Sequence, residues 1–158
     1  VAKSEVILDL VDEIEKAGLS TDAVNIELTE SVLLENNINT QHFLKELKRM
    51  KINLALDDFG TGYSNFHYLS ELNPEIIKID RTFTANAVAD KKEYYLLKQF
   101  CEMIHRLGLK LCIEGVENEV EWMKIKKLKP EYGQGFYWGK PCEYVDFVRQ
   151  FVDKAQKK

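Results

Sequence analysis

The sequence is poor in the residues that staple or punctuate small folds: three cysteines, three prolines and eight glycines in 158 positions. Cys101, Cys112 and Cys142 are odd in number and form no CxxC pair, which argues against a disulfide framework and against the common zinc spacings. Reduced thiols in a cytoplasmic setting are the expectation. An excess of positive charge is lacking too. There are 26 acidic side chains against 22 basic ones and a formal net charge of -4, so no basic field exists for a nucleic-acid polymer. No run approaches the ~18 consecutive apolar residues of a membrane-spanning helix. The opening VAKSEVILDL is neither a signal peptide nor headed by Met, so the expectation is a segment of a longer parent, which is free to carry a membrane tether of its own.

What the chain does have is core material, with 45% hydrophobic and 30% charged residues, enough for one folded domain. Val6, Ile7, Leu10, Val11 and Ile14 recur at helical spacing before Gly18, predicting a helix that begins almost at the first residue. AVNIELTE then reads as a strand, FLKELKRM from Phe43 as an amphipathic helix, INLALDDF from Ile52 as a strand and EIIKID (75–80) as another. Tyr94 to Leu107 reads as a helix with Leu97, Phe100, Cys101 and Ile104 on one face. LKLCIEG (109–115) is a strand, EVEWMKIKKL a helix, EYGQGF (131–136) a short strand, and EYVDFVRQFV a closing helix with Tyr144, Phe147, Val148 and Phe151 inward. Five strands alternating with helices, with no low-complexity linker and no strong repeat, predict an α/β fold with a parallel sheet. Periodicity does not choose between an open, doubly wound sheet and part of a barrel.

Each predicted strand ends on a polar residue: Glu27 in NIELTE, Asp57 in LALDDF, Lys78 in IIKID, Glu114 in LCIEG and Gln134 in YGQGF. Any one of these is ordinarily a solvated strand end. Five in succession, all at the C-terminal edge where parallel α/β folds build their ligand sites, have a chemical logic instead. Glu27, Asp57, Asp58 and Glu114 are hard oxygen donors suited to Mg²⁺ or Mn²⁺, and no paired His or Cys points to zinc. The side-by-side Asp57 and Asp58 repel each other, so a positive partner is expected beside them. After them FGTGYS, with glycines at 60 and 62 around Thr61, makes a bent or mobile loop; it matches no standard phosphate-cradling pattern.

These stretches, taken in order, resemble the EAL-domain phosphodiesterases that hydrolyse cyclic di-GMP: IELTES at 26–31, LDDFGTGYSNFHYL at 56–69, IIKID at 76–80, IEGVEN at 113–118 and GQGFYWGKP at 133–141. The resemblance spans nearly the whole chain. It implies an α/β, TIM-like (β/α) barrel, with residues 1–158 forming a single partial EAL domain of about five parallel strands and their covering helices. It also implies two Mg²⁺ or Mn²⁺ ions at the strand ends, with Glu27, Asp57, Asp58 and Glu114 as ligands and Asp57 as the bridge. Lys78, Asp58 and Glu114 take the catalytic positions, Lys78 beside the attacking water and phosphate. Gln134 and Glu117 fall where substrate contacts are made. Glu30 resembles the residue that anchors the loop of Gly60, Thr61, Gly62 and Ser64, which positions the aspartates and relays contacts in a homodimer. The ordinary account of Glu30 and Glu117, exposed acids near helix starts, competes with these roles.

The sequence also departs from the family pattern. The namesake Glu-Ala-Leu motif and an early-strand asparagine that also ligates metal are absent, and both are expected upstream of Val1. A TIM barrel has eight strands and about 250 residues, so this reads as the C-terminal part of the domain. A sensory or diguanylate cyclase domain further upstream is compatible with that reading. The implied activity is metal-dependent hydrolysis of cyclic di-GMP to linear pGpG, weak or absent in the isolated segment. The alternative is a catalytically inactive module that binds cyclic di-GMP or a regulatory protein partner. A third reading, a barrel that abstracts a proton next to a carboxylate with Lys78 and one Mg²⁺, explains the ligands but neither the twin aspartates nor the loop.

Overall fold

The computed structural model describes residues 2–29, 38–60, 69 and 72–152. Helix α1 (Ala2–Lys16) presents Ile7 and Ile14 inward and stops at Gly18, whose φ of +70° is the left-handed turn that glycine takes without steric cost. A single 3₁₀ turn (Thr21–Ala23) leads into strand β1 (Asn25–Thr29). Helix α2 (Ile38–Arg49) starts several residues ahead of the apolar stripe that begins at Phe43, and strand β2 (Asn53–Phe59) follows. Strand β3 (Ile76–Ile79) is joined to β4 (Lys110–Ile113) by two helices, α3 (Arg81–Ala89) and α4 (Lys91–Arg106). Helix α5 (Glu119–Ile125) with a 3₁₀ turn (Lys126–Leu128) precedes β5 (Tyr132–Gly133), and α6 (Tyr144–Phe147) runs into a π-helical turn (Val148–Val152). Among the described residues no helix is long and apolar enough to cross a membrane.

All four strand pairings are parallel, in the order β1-β2-β3-β4-β5. A doubly wound sheet reverses its strand order at a switch point and takes helices on both faces. Here the order is sequential, and the strand residues of the main core all project from one face. Leu56, Ile77, Ile79, Leu111 and Ile113 are all at most 1% exposed and form a single cluster with Ala87, Leu97, Cys101, Ile104 and Ile125 of the helices. The fold is therefore the wall of a TIM-like barrel, five strands of it, with helices outside. A smaller cluster of Ile7, Leu47, Ile52 and Leu54 fastens α1 and α2 to the β1–β2 end. On the other face the alternate residues Glu27, Ala55, Asp57, Lys78 and Cys112 share one surface, because side chains alternate across a strand.

The sequence pattern and the structure differ at three places. No helical signal marks 81–89, yet α3 forms there, started by Asp80, whose side chain accepts from the Thr82 amide at 2.8 Å. The strand predicted over 131–136 is two residues long, because Gly135 (φ +154°) lies against the Val116 backbone and turns the chain away. The closing helix is not a single amphipathic helix. Its α turn changes to π winding after Phe147, and π winding takes more residues per turn, which rotates the stripe of Tyr144, Phe147, Val148 and Phe151 off one face. Tyr144 is 79% exposed, and Phe147 and Phe151 are exposed with their rings 5.1 Å apart.

Candidate functional site

The site begins with an irregularity in β2. Leu56 pairs with Ile77 and Phe59 with Ile79, so β2 uses one residue more than β3 over the same span. That extra residue is a β-bulge at Asp57–Asp58. Asp58 sits at φ +54°, a conformation that Asp tolerates better than most side chains, and its amide donates to Asp57 Oδ1 at 3.1 Å. The bulge shifts the two-residue alternation: Phe59 returns to the core beside Leu56 and stacks on Phe100, while Asp57 stays on the opposite face and Asp58 is exposed. Two consecutive carboxylates are in this way kept out of the apolar core.

Opposite Asp57 stands Lys78, 6% exposed, in the middle of β3. Its Nζ lies 2.8 Å from Glu27 Oε2, 3.0 Å from Asp57 Oδ1 and 2.8 Å from Glu114 Oε1. Parallel register makes this convergence possible. Thr29 pairs with Asp57, Lys78 with Cys112, and Glu114 follows directly on β4 with its amide bonded to Ile79 O at 3.1 Å. Burial alone would push the Lys78 ammonium down, but the hydrogen bonds it donates to Glu114, Glu27 and Asp57 hold it above the usual lysine range. Burial, followed by repulsion from Asp57 and Glu27, lifts the Glu114 carboxyl above the ordinary range against the pull of Lys78. Burial likewise pushes the neighbouring Cys112 thiol up to about 11, so at neutral pH it is a packed thiol and not a thiolate nucleophile. Three carboxylates against one ammonium leave the cluster net negative.

A groove of about 340 Å³ runs down this face from Glu27 within β1, Lys78 within β3 and Gln134 just after β5, past Ala55, Ile76 and Cys112, to Asn25, Asn53, Lys110 and Tyr132. Gln134, the residue after β5, is held at the rim by its amide, which donates to Ile113 O at 2.9 Å. The structure thus brings Glu27, Asp57, Lys78, Glu114 and Gln134 to one place, with Asp58 adjoining. Glu117 is not among them: its carboxylate is taken up by Arg81 in a close ion pair. Gly60 opens its loop at φ +98°, where an added Cβ would come within 3.1 Å of the Phe83 ring. Glu30, Thr61, Gly62 and Ser64 lie outside the described residues. Arg81 was not singled out by the sequence pattern, although its place directly after IIKID is the signal that would have found it.

Whether this donor set suits a divalent cation is a question of chemistry and convergence. Among the described residues the acids do not form a ready-made three-ligand cage; their oxygens are directed at Lys78 Nζ. Those oxygens are hard and anionic, gathered from β1, β2 and the residue after β4 within 3.0 Å of one positive atom, a donor set suited to an oxygen-preferring divalent ion. The residues fit such an ion.

Fold and site together define a parallel α/β barrel whose polar residues are grouped at the C-terminal ends of the strands. The chain belongs to the EAL domain family, whose model matches residues 1–141. It is 33% identical over 149 residues to the cyclic di-GMP phosphodiesterase NbdA of Pseudomonas aeruginosa, covering 90% of this chain and 19% of that protein. Against the cyclic di-GMP phosphodiesterase PdeB of Shewanella oneidensis it is 28% identical over 158 residues, covering 100% of this chain and 17% of PdeB. BlrP1 of Klebsiella pneumoniae, solved as a manganese and cyclic di-GMP complex, superposes with a TM-score of 0.80 at 30% identity, covering 86% of this chain and 35% of that one. The chain therefore spans less than a fifth of the length of these two relatives.

Proposed function

We propose that this chain is part of a metal-dependent phosphodiesterase that hydrolyses cyclic di-GMP to linear pGpG in bacterial second-messenger signalling. The observation that carries the reading is the triple contact of Lys78 Nζ with Glu27, Asp57 and Glu114 at the barrel's C-terminal edge. Glu27, Asp57, Asp58 and Glu114 would hold two divalent ions, Mg²⁺ or Mn²⁺, with Asp57 the central ligand residue of the set. The chemistry the ions supply when bound is a more acidic water and neutralisation of charge on the phosphate.

The chain's own groups do the rest. Lys78, an ammonium set among three carboxylates, is placed to contact a phosphate oxygen as a cation. Glu114, whose carboxyl burial lifts above the ordinary range, keeps Oε1 toward Lys78 and serves as a ligand. Gln134, on the rim of the groove, offers an amide to the bound nucleotide. The loop from Gly60 through Thr61 and Gly62 to Ser64, with Glu30 as its anchor, orients Asp57 and Asp58. On the same reading the protein works as a cytoplasmic homodimer, with a sensory or diguanylate cyclase domain upstream.

The test is incubation of the intact protein with cyclic di-GMP and Mn²⁺ or Mg²⁺, with products resolved by chromatography. Formation of pGpG that stops on chelation is expected. Cyclic di-GMP recovered unchanged under both metals would overturn the proposal.

A further inference from the structure

The turn after β3 and the loop after β4 are joined a second time, beyond the acid cluster. Arg81, the first residue of α3, directs its guanidinium at the Glu117 carboxylate in a close ion pair. Its aliphatic stem lies across Gly115, where an added Cβ would sit 2.2 Å from Arg81 Cγ and 2.5 Å from Arg81 Cβ. Gly115 has φ +72°, so both its backbone and the space around it call for glycine. Glu117 is itself fastened, its amide donating to Glu121 Oε2 at 2.7 Å just before α5, whose first turn is capped by Asn118. Two ion pairs therefore bracket the same two segments. Lys78 meets Glu114 at 2.8 Å, and the same number of residues further along each segment Arg81 meets Glu117.

Stability does not account for the second pair. The side chains of Arg81 and Glu117 are 64% and 42% exposed, and ion pairs so open to water contribute little to folding. What the pair does fix is the path of the loop that carries Glu114. We propose that Arg81 is a positioning residue: it clamps the loop after β4 onto the start of α3 and so holds the Glu114 carboxylate in the geometry that receives a divalent cation. Glu117 acts through Arg81. Lysine is a poor substitute, because the planar guanidinium engages a carboxylate while its stem packs on Gly115. The inference rests on the metal-dependent reading given above.

The experiment is a double-mutant cycle in the intact protein, with Mn²⁺ affinity measured by calorimetry and melting followed in metal-free buffer. Arg81→Ala and Glu117→Ala should each weaken Mn²⁺ binding about tenfold, the low end of losses for residues that orient metal ligands. The double variant should bind no more weakly than the worse single one, because both lesions break one contact. Melting temperatures should stay within about 2 °C of the parent, as befits an exposed pair. Gly115→Ala should reproduce the loss with both charged side chains in place. Should Arg81→Ala lose its cooperative melt, Glu117→Gln, which removes only a charge, carries the measurement. Single variants with parental affinity, or losses that add in the double variant, would overturn the clamp. A parent that binds no Mn²⁺ would overturn the metal-dependent reading and the clamp with it.

Discussion

Lys78 Nζ in β3 and Glu114 Oε1, on the residue after β4, lie 2.8 Å apart, and the same Nζ also reaches Glu27 and Asp57. One buried cation thus compensates three acids. Lys78→Met should leave those acids facing one another and destabilise the fold by about 3 kcal/mol at neutral pH, the low end for an orphaned charge because Glu27 stays half exposed. The deficit should shrink as pH falls, since protonation of Glu114, whose carboxyl burial already lifts above the ordinary range, removes part of the repulsion. Urea midpoints at pH 7 and pH 4 measure this; equal deficits at both would contradict the compensation.

Asp57→Asn conserves shape and removes one charge from the cluster. Turnover of cyclic di-GMP should fall by more than the ~10–100-fold typical of residues that merely orient a ligand. Folding should survive, and relief of repulsion among the acids partly offsets the lost bond to Lys78. Purified variant and parent are compared by pGpG formation at saturating Mn²⁺. Near-parental turnover would remove Asp57 from the centre of the site.

The bulge at Asp58 separates the demands of function from those of folding. Even for Asp, which tolerates it better than most side chains, φ +54° carries a cost that glycine does not, so Asp58→Gly should raise stability by under about 1 kcal/mol while Mn²⁺ binding weakens. Asp58→Val, β-branched in the same conformation, should lower stability instead. Thermal melts and Mn²⁺ calorimetry on the pair decide it, and a glycine variant that is less stable than the parent would mean that the conformation is not costly.

Much of this architecture was legible because burial writes itself into periodicity. Leu54 to Leu56, Ile76 to Ile77 and Leu111 to Ile113 are short apolar runs bounded by polar residues, and Leu97, Cys101 and Ile104 fall on one helical face, so strands and helices declare themselves. Glu27, Asp57, Lys78 and Glu114 were visible as charges that interrupt or follow apolar runs, although the first three lie inside β1, β2 and β3 and not at their ends. Other features leave no periodic trace. A bulge changes the pairing parity without changing composition, so the sequence shows two aspartates but not that Phe59 rejoins Leu56 in the core. Helix α3 is rich in threonine and begins with a cap, not a stripe, and only its Asp80 signals it. The stripe from Tyr144 to Phe151 misled because π winding obeys a different period. Arg81 is marked in the sequence only by its place after IIKID, and it meets Gly115 and Glu117 only once the start of α3 packs on the loop after β4.

Asp90 joins α3 to α4, ending one and capping the next: its Oδ1 accepts from the Glu93 amide at 3.0 Å and from the Lys92 amide at 2.7 Å. Those bonds hold its carboxyl below the ordinary aspartate range. A group whose folded pKa is depressed binds its proton more readily in the unfolded chain. Its stabilising contribution is therefore complete above the unfolded value and declines as pH falls through the folded one. Asp90→Ala should flatten that part of the stability profile and lower the plateau above it. Asp90→Asn keeps an acceptor for the amides and loses the charge, so it should flatten the acid limb while retaining more of the plateau than alanine does. Because α4 supplies Leu97, Cys101 and Ile104 to the main core, unfolding followed by far-ultraviolet circular dichroism between pH 3 and 7 reads the whole domain. If both variants keep the parent's acid limb, the titrating group behind it lies elsewhere, and Asp90 is a cap whose charge does not matter.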